Sequence, residues 1–305
     1  MARWRQQPLL TTVVGSYPVG DLPPRRAVQR AVEEQIAAGI ELIADGQVRG
    51  DMIETFAARI PGFARADDGA WEVVDELKRP EMPITVSDFA LARRLAAGRA
   101  AVKAIVTGPV TLALAARLAP DAPYAAPHDP DLIVRLGEIV AHEVAALVSA
   151  GAEVVQVDEP ALGRALGARV APELAERALR DLALLPVCPV LHVCGDVRAI
   201  AQDLLALPFA VFDLEGCRVD NLSAVDPDEL EFADARLSYG CVDSAAADVE
   251  PVAVVRARVE AAARAIPPKR LWIAPDCGLR LLAPEVARAK LNALVAAVQA
   301  VRATL

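Results

Sequence analysis

The stretch DPDLIVRLGEIVAHEVAALVSAGAEVVQVDEP, residues 129–160, contains one complete helix-to-strand passage. Its first part, DPDLIVRLGEIVAHEVAALVSAG, reads as an amphipathic helical segment. Asp129 and Pro130 open that helix in the usual way, and Gly151 closes it. A β-branched run then begins at Val154 and ends on the acid Asp158. A long amphipathic helix delivering the chain directly into a short apolar strand is the repeating unit of a parallel sheet covered by helices.

The same passage recurs along the chain. Eight β-rich runs can be marked: TTVVGS from Thr11, ELIADG from Glu41, AVKAIVTGP from Ala101, EVVQVDEP from Glu153, PVLHVCG from Pro189, AVFDLEG from Ala210, RLSYGCVD from Arg236 and LWIAPDCG from Leu271. Amphipathic segments such as LPPRRAVQRAVEEQIAAG and APEVARAKLNALVAAVQAVRAT separate them. Eight alternations in 305 residues predict an α/β fold, a single-domain (β/α)8 TIM barrel over residues 1–305. An open doubly wound sheet is the main alternative. Residues 46–100 are too long for a plain connection and are expected to form a lid or side excursion within the barrel.

Nearly every run ends on a polar or glycine-containing cluster. In a barrel those ends share one face, where catalytic residues gather. Ser16, Asp45, Thr107, Asp158, His192, Cys194, Glu215, Asp243 and Cys277 fall on or near it.

Composition narrows the chemistry. Hydrophobic residues make up 54% of the chain and charged residues 24%, enough apolar material for a large core. The net charge of -9 carries no basic stripe, which argues against nucleic acid and membrane surfaces as partners. The start MARWRQQPLLTTVVGSYP lacks a secretory apolar run, and no apolar stretch is long enough to span a bilayer, so a cytoplasmic location is expected. Five cysteines then suit metal binding, catalysis or packing better than disulfides.

His192 and Cys194, one residue apart in HVCGD, point to the same side of a strand. Glu215 ends the next run and Cys277 ends the last. Together they form a candidate set of N, S and O ligands for zinc, which takes about four. Cys217 and Cys241 lie near enough to the rim to be substitutes or bystanders, whereas Cys188 reads as structural.

With these motifs in order, TTVVGSYP, DGQVRGDMIETFA, VTGPVTL, VQVDEPAL, HVCGD and IAPDCGL, the chain resembles the catalytic half of the cobalamin-independent methionine synthase family, in its core-only form. The resemblance implies zinc held by His192, Cys194, Glu215 and Cys277. It also implies homocysteine held through the backbone around Ser16 and by Glu54 and Asp158, which would pair with its ammonium group. Zinc would keep the substrate sulfur as a nucleophilic thiolate, with Glu215, the hardest ligand, loosening when sulfur arrives. The implied activity is methyl transfer to homocysteine, giving methionine.

Two departures bear on the methyl donor. The stretch TGPVTLALAARLAP lacks the tryptophan that the family uses to hold folate. Where the family carries a His-Ser pair after the seventh strand, this chain has YGCVDSAAAD, leaving Asp243 as the candidate catalytic group there. Losing both features favours methylcobalamin or a methylated corrinoid protein as donor over methyltetrahydrofolate. The rival readings are an alkyltransferase for another thiol, such as coenzyme M, and a zinc-binding barrel without catalysis. A sulfonate acceptor would be repelled by Glu54 and Asp158.

Overall fold

A computed structural model describes residues 7–305; the basic start read above as lacking a secretory leader begins with residues 1–6, outside the described part. The strands, in chain order, are β1 (Leu10–Thr11), β2 (Leu42–Ile43), β3 (Phe63–Arg65), β4 (Trp71–Val73), β5 (Ala101–Val102), β6 (Ala104–Thr107), β7 (Arg117–Leu118), β8 (Val154–Asp158), β9 (Cys188–Val193), β10 (Val211–Leu214), β11 (Arg236–Val242) and β12 (Leu271–Pro275). The helices are α1 (Pro24–Ala38), α2 (Met52–Ala57), α3 (Val86–Ala96), α4 (Pro109–Ala115), α5 (Pro130–Ser149), α6 (Leu162–Ala165), α7 (Pro172–Ala183), α8 (Ala201–Leu205), α9 (Pro227–Phe232), α10 (Val252–Ala265) and α11 (Pro284–Arg302).

Seven strands form one parallel sheet in the order β1-β12-β11-β10-β9-β8-β6. Beyond its edge, β5 runs into β6 through Lys103 and pairs with β2, and a parallel bridge from Thr12 to Leu42 returns to β1. Counting β5 and β6 as one strand, eight positions close into the expected (β/α)8 barrel, and every run marked in the sequence contributes to it.

The seam between β1 and β2 is shorter than the sequence suggests because side chains take over from the ladder. Gln35 of α1 is fully buried; its amide accepts from Ala44 N and donates to Ala44 O, both at 2.9 Å. Lys103 Nζ donates to Val13 O, and Gln156 Nε2 donates to Val14 O at 2.7 Å. The backbone of TTVVGS and ELIADG therefore stays satisfied without continuing as strand.

Outside the ring, α5 shows how the helices attach. Its apolar residues Leu132, Ile133, Leu136, Ile139, Val140, Val144 and Leu147 are all buried, each contributing on the order of 1.5–3 kcal/mol relative to exposure. Gly137 interrupts this apolar face because a Cβ there would sit 2.4 Å from Ala178 O on α7. The two helix backbones pack too closely for any side chain.

Residues 46–100 divide in two. The antiparallel pair β3–β4, extended by β7, makes a three-stranded side sheet. By contrast, α3 buries Phe89, Ala92 and Ala96 and serves as the crossover helix between β2 and β5. Glu143 of α5 pins the approach to α3 by accepting from Ile84 N at 2.8 Å and Thr85 N at 2.7 Å. Arg49 braces the same region through a forked pair with Asp88. Among the described residues, no helix is long and apolar enough to cross a membrane.

Candidate metal centre and active site

His192 is the next-to-last residue of β9, and Cys194 follows the strand. His192 Nε2 lies 3.1 Å from Cys194 Sγ and 3.8 Å from Cys277 Sγ, and the two sulfurs are 3.6 Å apart. A tetrahedral zinc with bonds of about 2.3 Å to sulfur and about 2.0 Å to nitrogen separates its ligands by roughly 3.5–3.8 Å. The trio therefore fits such an ion with a small spreading of the His192–Cys194 edge. Among the described residues, it is the one group of three whose ligand atoms lie within 4.8 Å of one another. Cys217 and Cys241 do not belong to it; Cys217 Sγ faces Gly240 O and Cys241 is buried in the wall.

Glu215 stands beside the trio without being part of it. Burial raises its carboxyl, an effect opposed by a hydrogen bond from Gly195 N. The thiol pair is held asymmetrically. Its hydrogen bond from Cys194 carries Cys277 down to about 4 against burial, with His192 adding to the effect, while Cys194 is raised. His192 is pushed up to about 10, because Cys277 and Asp213 together outweigh its burial.

Buried polar residues hold these loops in place. Asn221 Nδ2 donates to Gly195 O at 2.8 Å and Glu215 O at 3.0 Å, and its Oδ1 accepts from Val197 N at 3.0 Å. One side chain thereby ties the loops after β9 and β10. Asp276 accepts from Gly216 N at 2.9 Å and Cys217 N at 3.0 Å, fixing the residue before Cys277.

Beside the trio opens a cavity of about 330 Å³, whose lining includes Ser16, Asp45, Gln47, Phe56, Ile105 and Cys277. Asp158 lies behind this lining, bonded to Gln47, paired across the strands with His192 in the β8–β9 register and buried. Burial raises its carboxyl, while Gln156 and Gln47 donate to its two oxygens at 2.6 and 3.0 Å.

Of the residues expected to hold substrate, Ser16 lines the cavity, Asp158 sits behind Gln47, and Glu54 is not part of the lining. Glu54 lies on the outer side of α2, half-exposed and 3.0 Å from Arg65. Its helix register turns it toward the side sheet. Gln47, seven residues earlier in the same motif, occupies the inward position and was not singled out from the sequence. Asp243 also departs from its expected role. It pairs with Arg218 at 3.0 Å and accepts from Ala245 N and Ala246 N, which hold its carboxyl low despite some burial. A carboxylate so engaged has no proton to give near neutral pH.

An imidazole and two thiols converging at the carboxyl rim of a closed parallel barrel form a candidate metal site of the kind that α/β-barrel enzymes place on that face. The comparisons resolve the class further. Residues 20–300 match the family described as "Cobalamin-independent synthase, Catalytic domain", and the chain belongs to this family, whose members are methyltransferases. A methionine synthase of Methanothermobacter thermautotrophicus is 33% identical, the match covering 95% of this chain and 99% of the relative. A 5-methyltetrahydropteroyltriglutamate–homocysteine methyltransferase of Nitratidesulfovibrio vulgaris is 31% identical over 97% of this chain but only 42% of its own length. Among solved structures, a B12-independent methionine synthase from Shewanella sp. W3-18-1 superposes with a TM-score of 0.81, covering 97% of this chain and 98% of that one at 21% identity.

These findings overturn the expected methylcobalamin or corrinoid donor, since the family is described as cobalamin-independent and the longer relative is named for a pteroyl donor. The expectation treated a donor surface as the property of two motifs. The cavity is instead assembled from several loops, and its lining includes the apolar side chains of Phe56, Ile84, Ile105 and Leu281.

Proposed function

We propose that this protein transfers a methyl group to the thiol of homocysteine, giving methionine, at a zinc site held by His192, Cys194 and Cys277. The observation that carries this reading is the meeting of those three ligand atoms within 4.8 Å, at the edge of a cavity shared with Ser16. Zinc supplies Lewis acidity there, keeping a bound thiol deprotonated near neutral pH. The two cysteine sulfurs make the site electron-rich, so sulfur held beside them stays nucleophilic. Glu215, adjacent to the trio and bonded to Gly195 N, would be the further residue to hold the metal and, as the hardest of the ligands, the one that would yield to a substrate thiol.

Asp158 and Gln47 receive the amino-acid end. Asp158 offers a carboxylate to the ammonium group, and the Gln47 amide keeps that carboxylate aimed. The backbone around Ser16 takes the substrate carboxylate. The donor is a methylated pterin, as in the name of the longer relative, seated against the apolar wall of the cavity. Asp45 on that lining, pushed up to about 6 by burial, is the acid best placed to lend a proton to the departing nitrogen.

Purified protein, metal-free and zinc-loaded, is assayed for methionine formation from homocysteine with methyltetrahydrofolate, with methylcobalamin and coenzyme M as alternative donor and acceptor. Zinc-dependent methionine from the folate donor is expected. Turnover without zinc, or with coenzyme M but not homocysteine, contradicts the reading; turnover with methylcobalamin alone contradicts its donor half.

A further inference from the structure

The ring of His192 has two nitrogens, and the structure gives each a different neighbour. Nε2 faces the two sulfurs. Nδ1 faces the opposite way, toward the barrel interior, where Asp213 Oδ2 lies 3.8 Å away. The β9–β10 register sets this juxtaposition by placing Asp213 directly beside His192 on the neighbouring strand. His192 Nδ1 is buried without a hydrogen-bond partner, and the two Asp213 oxygens make no close hydrogen bond either; the polar side chain beside them on β11 is Ser238, whose hydroxyl favours the ionised form. Burial raises the Asp213 carboxyl, and the Ser238 hydroxyl can serve only one of its two oxygens, so an acid at this depth is costly and demands a reason.

That reason follows from the chemistry of Nε2. Once Nε2 gives its lone pair to a metal, the neutral ring carries its proton on Nδ1, and that buried N–H needs an acceptor. Asp213 is the acceptor next to it. A shift of about 1 Å would close the separation to hydrogen-bond length. Across the barrel, Lys103 is also fully buried, donates to Val13 O and Gln156 Oε1, and sends its charge toward Asp213 and Asp158. It offsets part of the cost of a carboxylate at this depth.

We propose that Asp213 is a positioning residue for the metal site: by accepting the Nδ1 proton of His192 it fixes the ring with Nε2 toward the metal and makes that nitrogen a better ligand. The inference rests on the zinc reading above, but it concerns a residue that touches neither substrate nor metal. Outer carboxylates of this kind are typically worth 10–100-fold in metal affinity.

Asp213→Asn keeps the volume and removes the charge. Zinc affinity is measured for wild type and variant by competition with a chromophoric chelator, alongside the visible spectrum of the cobalt-substituted proteins and far-ultraviolet circular dichroism of the metal-free forms. Expected is a folded variant with zinc affinity about 10–100-fold lower and shifted cobalt bands. A folded variant with unchanged affinity and spectrum overturns the proposal. Wild type that binds no zinc sinks the metal reading instead, so the two failures are distinguishable. If the variant does not fold, 15N spectra of the histidines in zinc-loaded wild type decide. With three histidines in the chain, one ring should show Nε2 bound and a slowly exchanging Nδ1 proton; Nδ1 bound to metal, or rapid exchange of its proton, refutes the inference.

Discussion

At the scale of single residues, function divides sharply between side chains that look alike in the sequence. Glu54 and Asp158 are both acids in family-like motifs, yet one is half-exposed beside Arg65 and the other buried beside His192. Asp158→Asn removes the charge opposite an ammonium group, and a hydrogen bond to a charged group is worth about 1.5–3 kcal/mol. KM for homocysteine should therefore rise about 10–100-fold on the same footing, whereas Glu54→Gln should leave it within about twofold, an exposed pair being worth little. Steady-state kinetics on the two variants checks this, and a larger effect at Glu54 would place the amino-acid site elsewhere. The meeting of His192, Cys194 and Cys277 was legible because His-x-Cys and PDCGL end strands that the alternating pattern locates. Gln47 was not, because a neutral amide in a loop carries no chemical signature of its own. Asp213 left a fainter sign, a carboxylate inside the apolar run of AVFDLEG, but only the strand register reveals that it faces His192.

At the scale of elements, two features control where the rim residues sit. Gly240 lies where β11 and β12 shift register, and a Cβ there would meet Asp276 Oδ1 at 2.2 Å and the Asp276 backbone at 2.8 Å. Gly240→Ala must push β12 outward, displacing Asp276 and Cys277. A cost of about 1–3 kcal/mol, typical of overpacking, should appear in thermal unfolding together with weaker zinc binding. The other feature is the seam. Glu41 accepts from Thr11 N at 2.9 Å and from Arg302 Nη2 at 2.6 Å, joining β1, β2 and the end of α11. Burial opposes the ionised form of Glu41, but Arg302 and Thr11 outweigh it and hold the carboxyl below its ordinary value. A carboxyl lowered on folding adds stability that is complete above the unfolded-state value and is lost as pH falls through the folded-state value. Glu41→Gln should therefore cost on the order of 1 kcal/mol at neutral pH, part of the pair being exposed. The difference from wild type should shrink as pH drops through the carboxylate range. Denaturant melts of both proteins at several pH values test the sign; a gap that widens in acid would contradict it. Strand positions were readable from polarity alone, while strand lengths at this seam were not, because Gln35, Lys103 and Gln156 complete the backbone from elsewhere in the chain.

At the scale of the whole molecule, a closed barrel brings together residues 85 positions apart, such as His192 and Cys277, because the last strands of the chain lie between its first strand and β9. Apolar packing supplies this geometry, and the polar interior of Lys103, Gln156, Asp158 and Asp213 directs it toward one end. The account stands on that geometry holding an ion able to accept the substrate's sulfur. X-ray absorption at the zinc edge, on protein carrying one equivalent of zinc, tests it most directly. Two sulfur neighbours with nitrogen or oxygen in the remaining positions are predicted at rest, from Cys194 and Cys277, and a third sulfur on adding homocysteine. A sulfur count that homocysteine leaves unchanged, or zinc bound without sulfur, would contradict the account.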